Sequence, residues 1–516
     1  MEYAVGVATT SIAVVRETER KYEAPDTVDL PDPPESLGVA GDVEDHLLKA
    51  IYFDTAELHL LQAGITLRRR EGGSDAGWHL KLPAGGDSRD EHRLPLTKTR
   101  RPPAKLAKLV LAQTGGAALA PVAELVTERR RRMLADAEGR DAAELVADRV
   151  VARTLGKATR TESWREIEVE LTEHGDNALL DRIESWLAEL GVHRSKSKSK
   201  VGRLLADQLP PPTPAWGEKL KPGSAGAAVL EYVQAQADAL RKHDAGVRTD
   251  AHDAVHQMRV AARRMRSTLQ AYGRVLDRDR TRALTEELRW VAGELAGARD
   301  TEVMAERFGA MLDELPDELK LGPVQAEITR SFARRETDAR TRAIAALDDP
   351  RYRDLLARVD ALLADPPLAE HAKRPARKEL PKNIARVFRT VSRLALAAAD
   401  LPPGDHRDEA MHDTRKAAKR LRYAIEAAQP AVGEPATLLR TELSKVQDLL
   451  GEHQDTVVAR PVLRELAVEA HLDGGNGFTL GILHAAEATR AAAIEAALPE
   501  AWAELRKPEY TAWLDA

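Results

Sequence analysis

The sequence predicts an α+β multidomain chain: an N-terminal eight-stranded antiparallel β-barrel, then a C-terminal all-α domain of two repeated helical-bundle halves. Three observations predict it. Short runs of alternating apolar and polar residues, the period-2 mark of strands, crowd residues 14–172. Beyond about residue 227 that pattern gives way to helical spacing rich in Ala, Leu, Arg and Glu. Within this second part, VHQMRVAARRMRSTL (255–269) and MHDTRKAAKRLRYAI (411–425) align without gaps, identical at six of fifteen positions, which marks an internal repeat.

Residues 209–226, LPPPTPAWGEKLKPGSAG, are dense in Pro and Gly and carry no hydrophobic period, so they read as a linker between domains 1–208 and 227–516. Upstream, strands are expected at 14–22, 49–55, 64–71, 77–83 and 90–96, punctuated by Gly, Pro and Asp, with longer alternating stretches near 124–135, 141–154 and 163–172. About eight strands tend to curl or close. Two helices interrupt them, around 104–116 and 176–191. In the second, Leu179, Leu180, Ile183, Trp186, Leu187 and Leu190 form one apolar stripe ended by Gly191. Downstream, antiparallel helical hairpins are expected, and LAGARDTEV (295–303) with LLGEHQDTVV (449–458) gives a second repeated pair carrying Asp300 and Asp455.

Composition removes several function classes. The absence of cysteine excludes disulfides, thiolate metal sites and cysteine nucleophiles and fits a reducing compartment. No uncharged apolar run approaches the roughly 18 residues of a membrane span, and the opening MEYAVGVATTSIAVV has Glu2 where a signal peptide carries positive charge. It reads as a lead-in to the first strand or a misassigned start, and the protein is expected in the cytoplasm. Aromatics at 4% leave little for a base-stacking surface. The near-balance of 77 basic and 83 acidic residues conceals local clusters.

Those clusters lie on strand faces. Residues two apart share a face, so Glu17, Glu19 and Lys21 point together, as do Arg68 with Arg70, His79 with Lys81, Glu91 with Arg93, and Glu166 with Glu168 and Glu170. One such strand in an antiparallel sheet turns its charges to water. Many in succession imply a charged lumen, which unpaired would cost several kcal/mol per ion and which a polyanion with a metal would relieve. Lys21, Arg68, Arg70, Lys81, Arg93, Lys198 and Lys200 supply phosphate donors, and the glutamates supply hard oxygen ligands suited to Mg²⁺ or Mn²⁺. The combination points to metal-assisted attack of water on a phosphoryl group.

The motifs ETERK (17–21), YFDT (52–55), LRRR (67–70), WHLKLP (78–83), the arginine run near 130, EIEVEL (166–171) and the SK at 199–200 occur in the order found in the CYTH family, the triphosphate tunnel metalloenzymes, which residues 14–205 resemble. The resemblance implies a triphosphate tunnel with Glu17, Glu19, Glu168 and Glu170 on the metal side. It places Lys21, Arg68, Arg70, Lys81, Arg93, Arg130, Arg132, Lys198 and Lys200 on the phosphate side, and Glu17, Glu19, Lys21, Glu168 and Glu170 in catalysis. TERRRRML (127–134) leaves Arg129 with Arg131 as the other choice of inward pair, SKSKSK offers three lysines, and VADRV keeps an acid, Asp148.

In the helical part, His256, Arg259, Arg263 and Arg266 fall on one helical face, and His412, Arg415, Lys419 and Arg422 repeat them. Two basic stripes at identical spacing point to a shared anion-binding surface, without chemistry of their own. Residues 225–510 resemble the CHAD domain, the conserved-histidine α-helical domain, which implies binding of inorganic polyphosphate by those eight residues. Nucleic acid is disfavoured by the few aromatics and the net charge of −6.

The expected function is metal-dependent hydrolysis of inorganic triphosphate in the tunnel, with polyphosphate bound by the helical domain and an association with polyphosphate granules. Thiamine triphosphatase or adenylate cyclase activity in the same tunnel is one alternative. A non-enzymatic polyphosphate receptor is the other, though it has no need of inward acids.

Overall fold

A computed structural model of the protein describes residues 12–25, 27–38, 40–156, 159–210 and 214–514; most of the expected N-terminal lead-in, residues 1–11, lies outside them. The chain divides into two compact units, Met1–Pro212 and Thr213–Ala516.

The first unit is a closed antiparallel barrel of eight strands: β1 Ala13–Glu23, β2 Ala40–Asp54, β3 Thr66–Glu71, β4 Gly77–Gly85, β5 Ser88–Pro95, β6 Ala120–Ala135, β7 Asp141–Thr154 and β8 Thr161–Leu171. A two-residue β9, His193–Arg194, adds to the edge of β1. The order runs β5-β4-β3-β2-β6-β7-β8-β1, and β1 closes the ring by changing partner midway. Ala13 to Thr18 pair with β5, and Glu19 to Glu23 pair with β8. The change falls between Glu17 and Glu19, so both carboxylates sit at the closure. β2 is longer than the expected 49–55; its first half, GDVEDH, is too acidic to read as a strand alone and is held by pairing with β6.

The barrel is dressed on the outside. Leu67, Trp78 and Leu80 point outward and are buried, as are Leu60 of α1 (His59–Gln62) and Leu106 and Leu109 of α2 (Ala104–Leu109), which is followed by α3 (Leu111–Thr114). On the other side α4 (Asn177–Glu189) lays Leu179, Leu180, Ile183 and Leu187 on Tyr22, Leu145, Ile167 and Val169, each such side chain contributing ~1.5–3 kcal/mol by burial. Asp176 caps this helix by accepting from the Leu179 N–H at 2.8 Å. Gly191, at φ 74°, ends it, with the Val192 N–H bonded back to the Leu187 carbonyl. Leu190 therefore falls past the last turn and is 42% exposed rather than part of the buried stripe. α5 (Lys200–Leu204) joins a second apolar group, in which Val201 and Leu204 pack with Tyr52, Leu125, Ala152 and Trp164 and fill one end of the lumen.

The second unit is helical: α6 Ala225–Thr249, α7 Ala254–Ala271, α8 Arg278–Glu294, α9 Ala296–Glu314, α10 Val324–Asp348, α11 Pro350–Ala364, α12 Ala376–Ala399, α13 Asp405–Val432, α14 Glu434–Leu472, α15 Phe478–Leu505 and α16 Pro508–Thr511. Part of the stretch expected as linker belongs to it, since Trp216 and Leu220 are buried and the turn at Ala215–Glu218 packs on α11. The repeat runs the whole length. α6 corresponds to α12, α7 to α13, α8 with α9 to the single long α14, α10 to α15, and α11 to α16. Contacts between the halves come in reciprocal form: α7 meets α13, α6 meets α12, α6 with α13 is matched by α12 with α7, and α10 with α14 by α15 with α9. That reciprocity is the pattern of an isologous two-fold interface, here within one chain. Among the described residues no helix is long and apolar enough to cross a membrane.

Candidate functional site in the barrel lumen

The lumen encloses a cavity of about 280 Å³. Of the residues singled out in the sequence, Glu17, Glu19, Lys21, Arg68, Arg70, Lys81, Arg93, Glu168, Glu170 and Lys200 line it. Three expected residues do not. Arg130 pairs with Asp29 at 2.9 Å on the outer surface, Arg132 pairs there with Asp32 at 2.8 Å, and Lys198 is exposed, offering only its carbonyl to Arg89. The parity of β6 is set by its neighbours. Arg129 stands opposite Asp148, which stands opposite Glu166, and Arg131 stands in the row of Val146, Glu168 and Lys21. Arg129 and Arg131 are therefore the inward pair, because a sheet partner on the same row shares the same face.

The lumen also contains Arg89, Glu91 and Glu144. The signal for Arg89 was available: β5 starts at Ser88 rather than at residue 90, which puts Arg89 on the Glu91 and Arg93 face. Glu144 follows from the same parity as Asp148 along β7.

The acids fall into two groups. Glu17, Glu19 and Glu170 bring one oxygen each within 4.8 Å of one another. Lys81 approaches Glu17 at 2.5 Å and Arg93 donates to it at 2.6 Å. Glu19 Oε1 is buried with no hydrogen-bond partner, Arg89 reaching only to 3.7 Å. Burial pushes Glu170 up to about 7, and the nearby Glu17 carboxylate adds to the shift. Burial acts in the same direction on Glu19, but the Lys21 and Lys81 ammonium groups outweigh it and bring Glu19 down to about 2. Carboxylates this close repel, and a partnerless buried oxygen among them is the environment of a hard cation.

The second group differs. Asp148, Glu166 and Glu168 surround the Lys200 ammonium at 2.9, 2.7 and 2.7 Å. Glu168 also accepts from Lys21 and, at 2.9 Å, from Arg129, which holds Asp148 with two bonds of 2.8 and 2.7 Å. Although burial opposes it, Lys200 and Lys21 hold Glu168 well below the usual carboxylate range. Glu168, expected beside the metal-side acids, is thus committed to three cations, because it lies one row nearer the plugged end than Glu170.

Facing the first group is a cationic wall. Arg70 is buried and Arg68 half-buried, each with a buried Nε–H that finds no acceptor, although Arg70 pairs with Asp75 through its terminal nitrogen, and burial beside Arg68 lowers Arg70 to about 9. Tyr52, the aromatic residue of this cavity, turns its hydroxyl to Arg68 at 3.5 Å.

In the helical unit α7 and α13 pack on each other and gather the two basic stripes. The sequence shows no acidic partners for these stripes, and the fold supplies them from the second repeated pair: Arg259 binds Asp300 at 3.1 Å, and Asp455 acts on Arg415. His412 bonds Gln454, and Arg422 bonds Glu426 at 3.0 Å. Even so, Arg259, Arg266 and Arg415 each keep a buried Nε–H without an acceptor. His256 sits half-buried on the same helix, and Arg263 beside Lys419 on the facing one. Burial, then Arg263 and Arg415, lowers Lys419 to about 7.

Comparison with known proteins agrees with this architecture. Residues 15–205 match the CYTH domain and residues 231–464 match the CHAD domain. This chain belongs to the CYTH–CHAD family. CYTH domains form tunnel metalloenzymes that act on triphosphates. Two uncharacterized proteins of Mycobacterium tuberculosis, MT2285 and Rv2226, are each 37% identical over 493 residues, covering 92% of this chain and 93% of theirs. Among solved structures, PptA from Streptomyces chartreusis is 23% identical with a TM-score of 0.47, covering 54% of this chain and 99% of its own. The CHAD domain from the plant Ricinus communis is 24% identical with a TM-score of 0.39, covering 57% and 92%.

Proposed function

We propose that this CYTH–CHAD protein hydrolyses inorganic triphosphate to pyrophosphate and phosphate in the barrel and binds inorganic polyphosphate on the helical unit. One observation carries the first part. The lumen sets Glu17, Glu19 and Glu170, with a partnerless acid oxygen, against arginines with unbonded N–H groups. Such a lumen suits a cation and a condensed phosphate together, which supports this reading.

All-oxygen donors fit Mg²⁺ or Mn²⁺, held by Glu17, Glu19 and Glu170. When bound, the cation neutralises charge developing on the phosphoryl oxygens. Arg68, Arg70, Arg93 and Lys81 orient the triphosphate by hydrogen bonds to its non-bridging oxygens, the guanidiniums with their forked geometry. Lys200 keeps Glu168 ionised and fixed, which in turn positions Lys21 and Arg129 toward the guest. The acids argue against a mere receptor, since polyanion binding alone is weakened by inward carboxylates. Thiamine triphosphate and ATP fit less well: about 280 Å³ lined by one aromatic residue, already bonded to Arg68, leaves no stacking platform for a ring.

The second part rests on the unbonded donors of Arg259, Arg266 and Arg415 along the α7–α13 seam. Together the two sites suit a cytoplasmic enzyme kept near polyphosphate granules. Phosphate release from triphosphate, thiamine triphosphate, ATP and long polyphosphate, with and without Mg²⁺ or Mn²⁺, tests the reading. Triphosphate is expected to be the preferred substrate, with turnover lost on chelation. Glu19→Gln should lower turnover by roughly a thousandfold, ~4 kcal/mol of transition-state stabilisation; full activity in that variant would refute the assignment.

A further inference from the structure

The two halves of the helical unit are alike in backbone and unlike in charge at one matched place. On one side of the α7–α13 seam, Glu426 accepts from Tyr232 at 2.8 Å and pairs with Arg264 at 3.1 Å and Arg422 at 3.0 Å. The repeat carries the three positions on α7 and α13 to counterparts on the other side. Arg264 corresponds to Arg420, Arg422 to Arg266, and Glu426 to Gln270. The acid at the centre has become a neutral amide, and the side chain that reaches the end of α7 from α12 is a cation, Arg386. The first residue of the following helix differs in the same sense: Arg278 opens α8 where Glu434 opens α14.

The consequence is a cluster without a close ion pair, Glu286 acting on Arg266 only from beyond that distance. Among the described residues, Arg266, Arg278, Arg386 and Arg420 have no carboxylate within ion-pair distance. Asp277, the nearest acid in sequence, is occupied in capping α8, and Asp279 pairs with Arg282. Arg386 reaches across to the Ala271 carbonyl at 2.7 Å, which ties α12 to the end of α7. Arg274 and Arg389, both exposed, extend the group. The mutual repulsion is visible in its effects. Burial, then Arg289 and Arg420, lowers Arg266; burial, then Arg278, lowers Arg420; burial, then Arg274, Arg278 and Arg389, lowers Arg386. Through Arg263, this group is continuous with the stripe that contains Lys419 and Arg415.

We infer that bound polyphosphate leaves the α7–α13 seam in one direction only, over Arg420, Arg386 and Arg278, while Glu426 and Glu434 close the opposite side. The inference rests on the polyphosphate reading and adds to it a polarity that the repeat alone would forbid. It also implies selection for length, because a chain must outrun the central stripe before it reaches Arg278 and Arg389. A condensed phosphate is favoured over nucleic acid because the named positions offer guanidiniums and no aromatic ring for a base.

The full-length protein should be titrated with long-chain polyphosphate and with tripolyphosphate across a range of salt. The pair Arg278→Glu with Arg389→Glu, both at exposed positions, is compared with Arg440→Glu plus Lys445→Glu on the mirror-side helix α14. The first pair should weaken long-chain binding at least tenfold and flatten its salt dependence by about two phosphate contacts, with tripolyphosphate affinity changed less than twofold. The mirror pair should weaken long-chain binding by no more than about twofold. Thermal unfolding of each variant identifies any that fails to fold, in which case Arg278→Gln with Arg389→Gln replaces it. Equal losses from both pairs overturn the one-way path while leaving polyphosphate binding in place. Tighter binding of the parent to duplex DNA overturns the ligand class, and no binding of polyphosphate by the parent overturns the reading beneath it.

Discussion

The barrel lumen and the α7–α13 seam are both rich in arginine and lysine, yet they handle charge in opposite ways. In the lumen nearly every cation is matched: Lys200 touches three carboxylates, Arg129 two residues and Lys81 three. In the seam Arg263 and Arg266 have no carboxylate at ion-pair distance among the described residues, and Lys419 is lowered to about 7 by burial and its neighbours. A matched site holds its geometry without a guest and asks for cation and anion together. An unmatched site is held in place by the helices around it and asks for an anion alone. The first arrangement suits chemistry on a small guest; the second suits retention of a long one.

The sharpest way to break this contrast is to unmatch the lumen. Lys200→Ala leaves Asp148, Glu166 and Glu168 buried around a missing ammonium, and should destabilise the barrel by about 3 kcal/mol, read by denaturant unfolding. A small effect there would mean that the lumen charges are solvated independently rather than paired. Next comes the parity of β6. Arg129→Ala should reduce triphosphate turnover by about a hundredfold, whereas Arg130→Ala and Arg132→Ala, at partly exposed outer ion pairs, should change stability by less than about 0.5 kcal/mol and turnover hardly at all. Salt then separates the two regions. Long-chain polyphosphate affinity should fall by roughly tenfold or more for a fourfold rise in salt, while the KM for triphosphate, whose guest replaces existing ion pairs, moves less. The smallest effect concerns pH. Lys419 loses its charge as pH rises through about 7, so polyphosphate affinity should weaken about fivefold across that range, and Lys419→Arg, charged throughout, should remove the step.

Much of the lumen was legible because strand alternation is a local property. ETERK, LRRR and EIEVEL each put their charges on one face whatever lies beside them, and Glu17, Glu19, Lys21, Arg68, Arg70, Glu168 and Glu170 all arrive in the cavity. TERRRRML could not be read this way. Four arginines in a row carry no alternation, and the choice fell to Asp148 on the neighbouring strand, whose opposite residue is Arg129. Lys198 and Lys200 share a face only while the chain is extended, and the start of α5 at Lys200 turns one inward and leaves the other in water.

By itself, then, the sequence determined the strand faces, the helical repeat and the kinds of charge available, because these follow from the periods of 2 and 3.6 along a single stretch of chain. Only the tertiary structure decided which carboxylate meets which cation. It set Glu168 against Lys200, Lys21 and Arg129 and grouped Glu19 with Glu17 and Glu170 beside Lys21 and Lys81, brought Asp300 to Arg259, and left Arg420 without the partner that Glu426 gives Arg264. Coulomb interaction depends on separation in space, and residues 150 positions apart acquire that separation only when the sheet closes and the helices pack.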